Sequence, residues 1–240
     1  MRGMGTIINT LLVALGGLAG MRFRAGIPEK VQKTLMQACG VSSMFIGAGG
    51  TLAKMLHVSE NGTLAAQGTL LLILSLVLGA FAGELIDLEA KMDSLGEWLK
   101  ARVGAQGDNA FVEGFVNVSL IVCVGAMAIV GAIQDALLGD ISTLVTKAIL
   151  DLIIIMVMTC SMGKGCIFSA IPVGILQGSV TALAVLIKPL MTEAALANIS
   201  MIGAILIFCV GLNLVWGKKV RVANMLPSII IAVAAAFLPI

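Results

Sequence analysis

Eight apolar stretches, at 4–21, 34–56, 66–86, 111–134, 142–160, 166–187, 196–216 and 223–239, take up most of this 240-residue chain. About 20 apolar residues wound as a helix cross the hydrocarbon core of a bilayer. No water is present there to take up backbone N–H and C=O groups, so a spanning segment must satisfy them internally, as a helix does. The chain therefore reads as all-α, a polytopic transmembrane helix bundle of seven or eight spans, the eighth short and holding Pro227 and Pro239. Charged residues make up 12% of the sequence, half the roughly 25% of a soluble domain. Joined by short loops, the spans leave no room for a separate soluble unit, and residues 1–240 form one transmembrane domain.

A net charge of +2 with no basic block interleaved with aromatics excludes a nucleic-acid partner. The placement of the charges says more. Arg22, Arg24, Lys30 and Lys33 follow the first span, Lys91, Lys100 and Arg102 the third, Lys164 the fifth, and Lys218, Lys219 and Arg221 the seventh. That is eleven of the fifteen basic residues in alternate loops, against Arg2, Lys54 and Lys188 in the others. Loops rich in lysine and arginine stay in the cytoplasm, so the N-terminus is expected outside. The cysteines at 39, 123, 160, 166 and 209 lie in or beside apolar stretches without CxxC spacing and read as small buried hydrophobes. His57 is the only histidine and reads as a loop residue, so no metal or other cofactor is expected.

Three internal patterns suggest organisation. Gly5-Thr6, Leu15-Gly16 and Ala19-Gly20 recur at a constant offset as Gly68-Thr69, Leu78-Gly79 and Ala82-Gly83. Glycines four apart let two helices approach closely, within one subunit or between the copies of a homo-oligomer. Because the second copy lies inside the chain, the first is read as a mature span rather than a signal segment. Next, Val31, Lys33 and Gln37 match Val145, Lys147 and Asp151 at an offset of 114, and Gly5, Asn9 and Gly16 are echoed by Gly114, Asn117 and Gly125. Units 1–108 and 109–187, with extra spans in 188–240, then form a 3+3 inverted repeat, a transporter plan that includes broken helices; the second and sixth spans, with their glycines and Pro172, are the expected break points. A further match joins Cys123-Val124-Gly125 to Cys209-Val210-Gly211. Lastly, Met92, Leu95, Leu99 and Val103 stand at helical spacing beside Trp98, so 89–104 reads as a helix lying in the membrane interface.

Lys147 and Asp151 are the candidates for function. They sit one helical turn apart in the otherwise apolar run 144–158, and an ionised group at the centre of a bilayer costs about 2.5–3.5 kcal/mol even on the insertion scale. Such groups face a protein interior or a wet cavity. A carboxylate that binds and releases a proton or cation suits transport, and Asp151 meets that need, with Lys147 as its neighbour. Asn9, Asn117 and Asn224 near span starts, Gln177 in span six, Asn213 in span seven and Glu84, the deepest of the acidic groups closing spans three and four, add carbonyl and carboxylate oxygens. Pro172 and Pro227 remove backbone donors and free carbonyls. Equally, each polar group can serve as a hydrogen bond or ion pair between helices.

Gly5-Thr6-Ile7-Ile8-Asn9, Ile27-Pro28-Glu29, Gly139-Asp140 leading to Lys147-Ala148-Ile149-Leu150-Asp151, Ser169-Ala170-Ile171-Pro172 with Gln177-Gly178, and Asn224-Met225-Leu226-Pro227 resemble the YqgA/YdfK-like family of uncharacterised bacterial inner-membrane proteins, a domain-of-unknown-function family (DUF554). The resemblance spans essentially the whole chain. It implies a multi-pass protein of the bacterial inner (plasma) membrane and brings neither substrate nor catalytic residues.

Walker, GxSxG and HExxH patterns are absent, no serine or cysteine pairs with the histidine, and Asp151 has no equally deep second carboxylate. The chain does not read as an enzyme. Two functions stay open: a transporter or channel for a small ion or small polar solute, through a midplane cavity built on Asp151, Lys147, Asn9, Asn117, Asn224, Gln177 and Glu84; or a membrane scaffold or sensor in which these groups knit helices together.

Overall fold

The computed structural model describes residues 3–24, 28–58, 62–107, 109–123 and 126–237. Arg2, Ile27, Val124, Gly125 and Pro239, which enter the sequence patterns above, lie outside the described residues. Among the described residues the helices are α1 (Met4–Arg24), α2 (Glu29–Met55), α3 (Thr69–Ile86), α4 (Leu88–Arg102), α5 (Phe111–Cys123), α6 (Ala126–Leu138), α7 (Ser142–Met162), α8 (Ala170–Ala182), the short α9 (Ala184–Ile187), α10 (Glu193–Trp216) and α11 (Pro227–Ala235). Single 3₁₀ stretches, Lys164–Ser169 and Val222–Met225, lead into α8 and α11. Among the described residues the bundle is all-α apart from one hairpin, β1 (Leu56–Val58) with β2 (Leu64–Ala66). His57 therefore sits in a short exposed strand rather than a loop.

Among the described residues six helices are long and apolar enough to cross a membrane, and a seventh span results if α5 and α6, bent by 60° at their junction, count as one. The eighth apolar stretch yields the shorter helix Val222–Ala235. The break thus falls in the fourth stretch. The second stretch, despite four glycines, is one unbroken helix beginning at Glu29, and in the sixth the prolyl residue costs nothing: Pro172 lies in the first turn of α8, where its missing N–H has no intrahelical partner to lose. Pro227 opens α11 in the same way.

Small residues decide which helices touch. Along α1, a Cβ on Gly16 would lie 2.6 Å from the Leu152 carbonyl oxygen and one on Gly20 2.4 Å from that of Met156, so α1 and α7 run parallel in backbone contact. Gly47 of α2 meets the Ala204 carbonyl of α10, and Gly40 meets Gly211, an antiparallel pair. Gly79 and Gly83 of α3 press on Ser228 and on the Asn224 carbonyl, where an added Cβ would stand 1.8 Å away. Both copies of the glycine repeat are therefore used inside the subunit. Between these pairs lies a core that includes Phe111, Phe115, Leu144, Ile155, Met158 and Met162, all buried. The outward faces carry exposed Phe45, Phe81 and Ile230, an apolar exterior suited to lipid.

The alternate basic loops collect at one end. Lys218 reaches Asp93 of α4 at 2.8 Å, Arg221 pairs with Glu84 and Asp87 at the α3–α4 junction, and Gly165 after α7 packs on the Phe111 carbonyl at the start of α5. Asp87 there has φ +52°, the left-handed region a non-glycine residue rarely takes, and it turns the chain from α3 into α4. At the other end the carboxylate of Asp135, fully buried, accepts the N–H of Gly3 at 3.0 Å and of Gly5 at 2.8 Å, capping α1. Although Asp135 stands near the end of the fourth apolar stretch, the orphan donors of α1 draw its carboxylate inward. The expected interfacial helix is α4; its buried residues are Glu89, bonded to Ala223 and Asn224, Gly96, packed on Val112 and Phe115 of α5, and Leu99, while Trp98 and Leu95 face outward.

Candidate functional site

The site forms where α1, α7 and α8 meet the broken end of α5. The described part of α5 ends at Cys123, beside the 60° bend into α6, and the Val122 carbonyl there takes a donor from another helix. Lys147 supplies one: its Nζ donates to that carbonyl at 2.8 Å and to the Asp151 carboxylate one turn on. A cation at a helix C-terminus also meets the negative end of the helix dipole. Both side chains are buried, Lys147 at 9% and Asp151 at 6% exposure. The pair is sealed in this conformation.

Two amides complete the cluster. The Asn9 side chain is fully buried on the face of α1 that packs on α7, between Gly5 against Leu144 and Gly16 against Leu152, and neither amide atom makes a hydrogen bond. On α8, Gln177 stands between two contacts with α1, Gly174 against Thr10 and Thr181 hydroxyl to Thr6 hydroxyl at 3.1 Å, which sets it at the level of Asn9. It too is buried, with both amide atoms unpartnered. A buried polar group left unpaired costs about 1–3 kcal/mol, so two such amides beside an ion pair mark a place where the fold gives up stability.

A polar cavity of about 360 Å³ enters from the basic end. Glu89, Asp93, Glu97 and Glu113 line it with Lys218 as the cation, together with Asn117 and Asn213. Its α5 wall runs through Asn117 to Leu120, one turn before Cys123 and the broken end. Burial works against the Lys218 ammonium, but hydrogen bonds to Asp93 and Glu89 more than offset this and hold its pKa above the ordinary lysine range. Leu120 also lines a second, apolar cavity of about 350 Å³ together with Cys123, Pro172 and Ile199. Lys147 and Asp151 line neither cavity.

Of the seven residues singled out from the sequence, Asn9, Lys147 and Asp151 come together, and Gln177 lies at the level of Asn9 on α8. Asn117 stands in the polar cavity instead. Asn224 and Glu84 belong to a separate knot at the basic end, so the midplane role expected of them is not met. There Asn224 Oδ1 accepts the Glu89 N–H at 2.7 Å, its Nδ2 donates to Glu84, and the Glu89 carboxylate accepts the Ala223 N–H at 2.9 Å. Asn213 closes the turn after α10, accepting from Lys219 and Val220 and donating to the Val220 carbonyl. Sequence reasoning missed Glu89, Asp93, Glu113 and Lys218 as cavity residues. A charge near a span end looks like any interfacial charge until the neighbouring helix is known.

A family profile described as "Protein of unknown function (DUF554)" matches residues 4–237. The chain belongs to the DUF554 family. The uncharacterized membrane protein YdfK of Bacillus subtilis (strain 168) is 30% identical over 233 residues, covering 97% of this chain and 95% of that protein. The uncharacterized protein YqgA of Escherichia coli (strain K12) is 29% identical over 236 residues, covering 95% of this chain and 94% of its own length. No solved structure matches the chain. Membership fixes a multi-pass DUF554 membrane protein and leaves the chemistry to the site.

Proposed function

We propose that this protein transports a small ion or small polar solute, with the Asn9, Lys147, Asp151 and Gln177 cluster as its binding site and the acidic cavity at the basic end as its entry. The observation that carries this reading is the pair of fully buried, unpartnered amides beside an ion pair at the break of a spanning helix. Folding alone gains nothing from them. A passing solute would give them partners, and broken helices near the midplane are where transporters expose backbone groups to one. The cavity holds four carboxylates against one lysine, which favours cations. In this reading the basic end faces the cytoplasm of the bacterial inner membrane and the N-terminus lies outside. The inverted pairing of units 1–108 and 109–187 belongs to it as well: Asn9 and Asn117, its equivalent asparagines, both lie on the suggested path, one in the cluster and one in the cavity.

A second reading draws on the sealed pair. Lys147 capping α5, neutralised by Asp151, suffices as a fastener, and a scaffold or sensor would need no more. Flux in proteoliposomes separates the two, using sodium, potassium, ammonium, chloride and small amino acids as probes. Transport of at least one probe, lost in Asp151→Asn while the melting temperature is kept, supports the carrier. Absence of flux for all of them, with folded protein of correct orientation, supports the fastener.

A further inference from the structure

Three features of the cluster specify what would bind there, granted the transport reading above. Its available acceptors are oxygens, the Asp151 carboxylate and the unpartnered carbonyl of the buried Asn9 amide, set beside α7 between the Gly5–Leu144 and Gly16–Leu152 contacts, and hard metal cations take oxygen ligands. A single carboxylate is present among these groups, so a monovalent ion leaves the smallest uncompensated charge in a medium where each charge is costly. Finally, the carboxylate already holds a monovalent cation, the ammonium of Lys147, and that ammonium has a second acceptor, the Val122 carbonyl at the negative end of α5. Lys147 can therefore leave Asp151 without becoming unpaired.

We propose that Asp151 and the Asn9 carbonyl form a site for a desolvated monovalent metal cation, and that Lys147 is the tethered ammonium which this cation displaces onto the Val122 carbonyl. The exchange is one cation for another at the carboxylate; no covalent bond forms or breaks. The sealed arrangement is then the resting form, with the lysine standing in for the transported ion. It also fits the orphaned Asn9 amide, since the hydrogen bonds that the ammonium makes run to Asp151 and Val122 and not to that carbonyl. Gln177, at the same level on α8, offers a further amide oxygen toward α1.

The test is the shift in melting temperature of the full-length protein in detergent on addition of LiCl, NaCl or KCl, with choline chloride matching the ionic strength. One of the three metal ions should stabilise the wild type over choline. Lys147→Gln removes the competitor and should bind that ion at least tenfold more tightly, whereas Asn9→Ala, with the ion pair intact, should bind it at least tenfold more weakly. Lys147→Gln/Asp151→Asn, free of both charges, should show no response. Should Lys147→Gln not fold in any salt, Asn9→Ala decides: an unchanged response there overturns the site. An unchanged or weaker affinity in a folded Lys147→Gln overturns the displacement. No metal-ion response in a wild type that still carries a neutral solute across proteoliposomes overturns this inference and leaves the transport reading standing; no response together with no flux removes both.

Discussion

Lys147 and Val122, 25 residues apart in sequence, are joined by one hydrogen bond of 2.8 Å that fastens the N-terminal third of α7 to α5 beside its bend. The same ammonium holds Asp151, so one side chain serves a backbone end and a buried charge at once. Removing either charge alone strands the other.

Lys147→Met should therefore cost about 3–5 kcal/mol of stability, the usual penalty for breaking a buried pair. Lys147→Met/Asp151→Leu should recover most of that loss, since an apolar pair of similar volume is often neutral. Melting of the three proteins in one detergent checks this. In the transport reading the double variant is folded and inactive, and full activity in it would count against that reading.

Gly47 and Gly49 lie two residues apart on α2 but in opposite surroundings. A Cβ at 47 would stand 2.5 Å from the Ala204 carbonyl oxygen, while one at 49 meets nothing within 4 Å. Gly47→Ala should destabilise by about 1–3 kcal/mol through overpacking. Gly49→Ala should be neutral or stabilising by up to about 1 kcal/mol from helix propensity. Equal effects at the two sites would mean that α2 does not lie against α10 as described.

At the basic end, Lys218 joins Glu89 at 2.9 Å and Asp93 at 2.8 Å. Its pKa is raised in the folded protein, so the stability it adds is fully present below the unfolded value of about 10.4 and is lost only as pH rises through the higher folded value. Lys218 is half exposed, so the effect is below about 1 kcal/mol. The difference in melting temperature between wild type and Lys218→Met should stay constant from about pH 6 to 9 and vanish only in strong alkali. A difference that already closes near neutral pH would contradict the assignment.

The two ends of the bundle should face different compartments. With the native cysteines replaced, Gly107→Cys at the basic end should react with an impermeant thiol reagent only in inverted membrane vesicles, and Gly139→Cys at the other end only in right-side-out ones. The opposite pattern would reverse the orientation without altering the fold.

Much of this arrangement was legible in the amino-acid order. Seven of the eight apolar stretches became spanning helices or a bent pair, because length and hydropathy alone decide what a bilayer accepts. Asn9, Lys147, Asp151 and Gln177 could be suspected since each is costly at depth whatever surrounds it. Three things were not legible. The break between α5 and α6 carries no proline, and the glycine-rich second stretch stayed whole because those glycines seat α10 instead of bending the helix. Asn224 and Glu84 look as deep in sequence as Asn9 does, but the turn at Asp87 brings them to Arg221 at the rim. Glu89, Asp93 and Lys218 become cavity walls only when α4 folds back onto α5, a tertiary event that no local pattern announces.

Access of water to the cluster is the most direct test. With Asp151→Cys as the sole cysteine, a small charged methanethiosulfonate reagent should label the protein from the basic end, and Leu120→Trp, which fills the inner end of the polar cavity, should slow that labelling at least tenfold. A thiol at 151 that reacts from neither side in folded, membrane-inserted protein would contradict a solute path and leave Lys147 and Asp151 as a fastener between α5 and α7.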